Sequence, residues 1–174
     1  MENNHTNTID YVRKQPVWAF CLLSFFTGGL YTIYWFFRGW RFLRDLYDLD
    51  VYPFWRAVFS IFFVHTFMDY INDIAVEKGH PGSQTNGYAS GFVVVAIVQR
   101  FSARVVPMQY AALPLLLMPF LFLIPTVKQL NYIYEQDHPN AYLPSFSAAE
   151  AFILLLGAAV VVLGAIGTLM GEIH

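Results

Sequence analysis

Val17 to Phe37 carries no charged residue and is almost wholly apolar, and Arg38, Arg41 and Arg44 follow it at once with Trp40 among them. A run of about 20 such residues is long enough to cross the hydrocarbon of a bilayer, and arginines just past its end mark the cytoplasmic side. Three further apolar segments follow, and none could be solvated in water without aggregating. The sequence therefore predicts an all-α fold, a polytopic helical membrane protein of four to five membrane helices plus an interfacial amphipathic helix. Composition points the same way. Of 174 residues, 57% are hydrophobic and 13% charged, against roughly 25% charged in ordinary soluble domains.

The expected organisation is a polar tail over 1–16 and a single helical membrane domain over 17–171. Its membrane segments fall at about 17–37, 54–75, 87–99, 105–127 and 151–170. Pro16 suits a helix start. From Arg38 to about Leu49 the pattern continues as an interfacial helix, with Arg41/Asp45 and Arg44/Asp48 placed as i,i+4 pairs. Asp50 and Pro53 read as the opening of the second membrane helix. The 87–99 segment is short: Tyr88 to Val98 reaches roughly half a bilayer at ~1.5 Å per residue, so a crossing has to draw in its flanks. Val105 to Val127 is long enough but is interrupted by Pro107, Pro114, Pro119 and Pro125, which predicts an irregular span. Lys128 to Glu150 is polar and mildly acidic, with Asp137, Pro139, Asn140 and Pro144 as turn formers.

Loop charges set the orientation. With Arg38, Arg41, Arg44 and Arg56 at the cytosol, the stretch Glu77 to Gly87 lies outside and Arg100 and Arg104 return inside. Lys128 to Glu150 then lies outside and the C-terminus is cytoplasmic. Arg13 and Lys14 oppose this if Val17 to Phe37 crosses once. Thr27-Gly28-Gly29, in the middle of the run, offers a second geometry, a re-entrant hairpin with both basic flanks on one side. A single crossing is the expectation, because a run of this length normally spans. Asn4-His5-Thr6 is a glycosylation sequon that matters only for an extracytoplasmic tail in a glycosylating host.

Thr27-Gly28-Gly29-Leu30-Tyr31-Thr32-Ile33-Tyr34-Trp35-Phe36-Phe37-Arg38-Gly39-Trp40-Arg41 resembles the T-x-G-[LI]-Y-x-[IL]-Y-W-[FY]-[YF]-[KR]-x-W signature of a family of uncharacterised bacterial multi-pass membrane proteins, classed as a domain of unknown function. Pro53-Phe54-Trp55-Arg56-Ala57-Val58-Phe59 resembles the P-F-W-R-A-x-F block of some members, with fainter echoes at Gln129-Leu130-Asn131 and around Leu156-Gly157. The resemblance covers about residues 17 to 60. It implies a bacterial inner-membrane setting and no particular chemistry.

Three constellations stand out. Tyr31, Tyr34, Trp35, Trp40 and Trp55 gather at one boundary with Arg38, Arg41, Arg44 and Arg56. Rings with a polar tip settle at headgroup level, and arginines beside them pair with lipid phosphates; an ordinary aromatic belt and a specific lipid or partner contact are both open. His65, Asp69 and Asp73 recur at i, i+4, i+8 with Asn72 beside them, a polar face on an otherwise apolar helix. Ionisable residues at membrane depth face a bundle interior or water and serve as proton relays or ion paths, while a hydrogen-bonded histidine and a wet helix end would look the same. Gly157, Gly164, Gly167 and Gly171 put small residues along the last span, suited to close packing within the chain or between copies.

Chemistry classes are narrowed by what is missing from the sequence. H-E-x-x-H, G-x-S-x-G, P-loop and GxGxxG motifs are all absent, so no enzyme activity and no cofactor are expected. The lone Cys21 supports neither a disulfide framework nor a thiolate metal site, and His-x-x-x-Asp falls short of a metal ligand set unless His80 or His138 completes it. A net charge of −2 gives no basic stripe for nucleic acid. The function expected is that of a scaffold, accessory or regulatory protein whose partners are membrane lipids, another membrane protein or a second copy of itself. An oligomeric channel or proton-linked transporter using His65 and Asp69 is the alternative. A reporter fused after His174 is expected to be active in the cytoplasm; activity confined to the periplasm would overturn the orientation.

Overall fold

The run from Val17 to Phe37 is divided in two. In the computed structural model, which describes residues 14–105, 118–137 and 148–171, helix α1 spans Val17–Phe26 and helix α2 spans Leu30–Tyr47. Gly28 and Gly29 take φ of 58° and 90°, a left-handed backbone that only glycine adopts without strain. The Thr27 hydroxyl closes the break from both sides. It donates to the Leu23 carbonyl at 2.7 Å and accepts the Tyr31 N–H at 3.0 Å, satisfying one of the free donors at the start of α2. The chain folds back as a helical hairpin, with the Phe20 ring 5.3 Å from Trp35 and the Ser24 and Thr32 hydroxyls 3.2 Å apart. This corrects the expected single helix over 17–37. The two glycines outweigh the apolar periodicity, because they release the backbone where the hairpin must turn.

Other boundaries move for equally local reasons. Asp48 ends α2 in the left-handed conformation, and Arg44 bonds Asp45 rather than Asp48. The next helix, α3 (Pro53–Val58), has Tyr52 at its cap position, so Asp50 does not cap it, and Pro53 sits in the first turn as expected. The helix expected over 54–75 is broken at Phe59, and α4 runs Ser60–Glu77. On a straight helix, residues 56 and 63 would lie ~10.5 Å apart along the axis. Here both meet one indole: the Arg56 guanidinium carbon is 4.5 Å from the Trp40 ring centre, and the Phe63 ring is 6.4 Å from it. The bend brings them together.

Helix α5 (Thr85–Val105) is longer than the 87–99 segment, extending through Gln99 and Arg100. Pro119–Leu123 forms a 3-10 turn leading into α6 (Ile124–Asp137). Pro119 and Pro125 both fall in first turns, where a missing N–H costs nothing. The polar stretch after Lys128, expected as a connection, is therefore helical as far as Asp137. Helix α7 (Ala148–Gly171) closes the fold against α1. The sequon, Pro107, Pro114 and the turn formers at Pro139, Asn140 and Pro144 lie outside the described residues.

Among the described residues the fold is all-α, with no strand. No helix of the described residues is long and apolar enough to cross a membrane; α7 includes several residues whose side chains lie outside the description. Aromatic side chains form the centre. Phe67 of α4 lies 5.0 Å from Phe36, 5.5 Å from Trp35 and 5.5 Å from Trp40, ring centre to ring centre. It rests on Gly39, where an added Cβ would come 2.4 Å from the Phe67 ring.

Gly39→Ala is expected to destabilise the fold by about 1–3 kcal/mol through overpacking. Gly87→Ala in α5, where nothing lies within 4 Å of the added Cβ, should be neutral or stabilise by up to about 1 kcal/mol through helix propensity. Denaturant unfolding of the two variants checks the contrast, and equal effects would contradict the close α2–α4 approach.

Candidate functional site

The predicted polar face becomes a seam between α4 and the segment that follows it. His65 Nε2 meets the Ser90 hydroxyl at 3.1 Å, and the Thr85 hydroxyl donates to Asp69 Oδ1 at 2.5 Å. Asn72 Oδ1 accepts the Ser83 N–H at 2.9 Å and Gln129 Nε2 at 2.7 Å, and that same amide nitrogen lies 3.1 Å from the Ser83 hydroxyl. These rungs run in order because α4 and α5 are antiparallel, so descending residues of one meet ascending residues of the other. His65 and Asp69 are thus held by α5 rather than by each other. Asp73 is exposed. Together with Glu77 and burial, it pushes the Tyr47 phenol above its usual range, burial being the largest cause.

The aromatic boundary is redistributed. Tyr31 is 3% exposed, Trp35 7% and Trp40 0%, so three of the five rings belong to the core rather than to a belt. Helical spacing explains this: the adjacent rows 31, 35, 39 and 32, 36, 40 form the buried face of α2, turned toward α1 and α4. Tyr34 and Trp55 remain exposed at 48% and 56%. Arg38 lies over Tyr34, Arg41 over Phe37, and Arg56 over both Trp40 and Phe63. In the last helix, Gly157 meets the backbone of Phe26, whose carbonyl oxygen would be 2.6 Å from an added Cβ. Gly164, Gly167 and Gly171 follow along α7, and their surroundings lie outside the described residues.

A second polar cluster has no counterpart in the sequence reading. Gln15 lies just before α1, and its backbone N–H and C=O are both bonded by the Asn131 side chain at 2.8 Å. Its side-chain amide donates to the Tyr31 hydroxyl, which in turn donates to Glu150 Oε1 at 3.1 Å. Gln15 and Glu150 are 6% and 5% exposed. The chain links α1, α2, α6 and α7. Lys14 reinforces it by pairing with Glu135. Spacing could not reveal partners more than a hundred residues apart; the available signal was a single acid, Glu150, directly before the uncharged last segment.

On the neighbouring rim, Lys78 pairs with Asp137, and the Tyr132 hydroxyl donates to the Lys78 carbonyl. His80 Nδ1 accepts the Gly82 N–H and its ring packs on Tyr132, so His80 serves the turn; His138 lies outside the described residues. Among the described residues, no group of three histidine, cysteine or carboxylate side chains could hold a metal ion. What the arrangement offers chemically is hydrogen bonding and cation–π contact.

Asn131→Leu keeps the volume and removes both bonds to Gln15. It is expected to cost about 1–3 kcal/mol and to raise amide hydrogen exchange at the start of α1, read by mass spectrometry. Unchanged exchange there would mean that the clamp does not hold the N-terminal segment.

No family model, curated protein or solved structure matches this chain.

Proposed function

We propose that the protein is a bacterial inner-membrane scaffold, accessory or regulatory protein that works by association, binding lipids or other membrane proteins, and that it is not an enzyme. One observation carries this: large apolar side chains are exposed on α1 to α5 and on α7. Phe62 is 76% exposed, Leu30 and Leu155 69% each, and Phe152 66%, and Trp18, Trp55 and Phe101 are more than half exposed as well. Soluble monomers rarely expose contiguous apolar patches beyond a few hundred Å². An apolar exterior around a hydrogen-bonded, aromatic interior suits hydrocarbon as solvent.

The family resemblance over residues 17 to 60 supports the same reading. Helices of this length and polarity would enter a bilayer as packed pairs, with the α1–α2 hairpin as the re-entrant element and the uncharged Ala151–Met170 stretch of α7 beside it. The exposed Tyr34 and Trp55, with the arginines near them, would meet lipid headgroups or a partner helix.

Membrane fractions washed with high salt and then alkaline carbonate should retain the protein until detergent is added; release by either wash would refute membrane integration. Purification from native membranes in mild detergent is expected to bring down a reproducible partner or lipid set. The alternative, a channel or proton-linked transporter, draws on the half-buried His65 in the α4–α5 seam. It predicts pH-dependent flux in reconstituted vesicles that His65→Ala and Asp69→Ala abolish. Association predicts silent vesicles.

A further inference from the structure

We propose that Arg56 and the indole N–H of Trp40 together form a binding site for a phosphate group. Arg56 lies with its guanidinium carbon 4.5 Å from the Trp40 ring centre and 5.1 Å from that of Phe63. Among the described residues it has no carboxylate within ion-pair distance and no hydrogen-bond acceptor. Ring contacts stabilise the face of a guanidinium and leave its five N–H donors, which point outward in the plane, without acceptors. A partly buried cation in that condition calls for an anion.

The second donor is independent of the first. Trp40 is fully buried, and its Nε1 has no hydrogen-bond partner, one of two such buried side-chain atoms among the described residues. A buried donor left unmade costs about 1–3 kcal/mol, and native structures rarely leave one without a compensating ligand or water. Nε1 belongs to the ring that Arg56 covers, so both donor groups lie within the width of one indole. The ligand they fit offers several oxygens at once: two for the guanidinium fork and one for the indole. A phosphate group does so. Trp55 and Phe59, stacked at 6.0 Å and both exposed on the same short stretch as Arg56, supply an apolar flank suited to acyl chains, whereas free phosphate would use the donors alone.

The proposal deepens the lipid-binding reading and rests on it for the source of the phosphate. The test uses the full chain with 15N-labelled indoles, in an uncharged sugar detergent and phosphate-free buffer. Trp40 is assigned among the four tryptophans by Trp40→Phe. Inorganic phosphate, short-chain phosphatidylglycerol and a galactosyl diacylglycerol of equal chain length are titrated separately. A saturable downfield shift of the Trp40 indole proton with phosphatidylglycerol alone supports a lipid headgroup as the source, and a shift with inorganic phosphate as well supports the phosphate group by itself. No shift with either, or an equal shift with the galactolipid, overturns the site. Arg56→Gln should weaken binding roughly tenfold or more. Arg56→Lys keeps the charge without the fork and should fall between; if the glutamine variant does not fold, the lysine variant decides, and unchanged affinity in it refutes bidentate binding. Membrane retention with equal shifts would sink the phosphate site and spare the membrane reading. Release by the salt wash, with a shift on inorganic phosphate, would do the reverse.

Discussion

A bare backbone at Gly39 is the condition on which the packing turns. Any side chain there would occupy the space of the Phe67 ring, and that ring is the one that Trp35, Phe36 and Trp40 all contact. Edge-to-face aromatic contacts contribute about 0.5–1.5 kcal/mol each beyond their buried area, and four large rings converge on this point. Close approach of α2 and α4 also sets where α3 can lie. With Trp40 fixed beneath it, Arg56 finds a ring to cover, and the chain must bend at Phe59 to bring Phe63 to the same indole.

Polar groups are handled by a different rule from one end of the fold to the other. Donors and acceptors meet each other along the exposed edge of α4 and α5, His65 with Ser90 and Asp69 with Thr85, and in the buried junction of α1, α6 and α7, Gln15 with Asn131 and Tyr31 with Glu150. Satisfied networks of this kind specify one arrangement of helices, because each alternative strands a buried polar atom. At the α2–α3 contact the rule lapses. Arg56 and the Trp40 indole N–H sit together with their donors unused; among the described residues Gln129 Oε1 is the one other buried side-chain atom without a hydrogen-bond partner.

Much of this was legible in the residues. The all-helical character of the described residues, the proline at the start of α3, the loop after Glu77 and the helix beginning near Ala151 follow from apolar spacing and from the special backbones of proline and glycine. The polar residues of α4 were also visible as a face. Their partners were not, since Ser90, Thr85 and Gln129 are ordinary polar residues until antiparallel packing brings them opposite. The aromatic boundary misled for a related reason. Tyr31, Trp35 and Trp40 have the chemistry of headgroup anchors, and only burial by α1 and α4 makes them core.

By itself, the sequence determined helices and an excess of apolar surface, and it offered a turn at Gly28-Gly29 only as the second geometry for the first run, because propensity, composition and left-handed backbone angles are properties of a residue and its near neighbours. Tertiary structure alone decided that the first apolar run doubles back, that Phe59 is a bend, that Glu150 answers Tyr31, and that Arg56 and Trp40 share one ring. Those outcomes depend on contacts between residues 16 to 119 positions apart, and no local rule carries information over that distance.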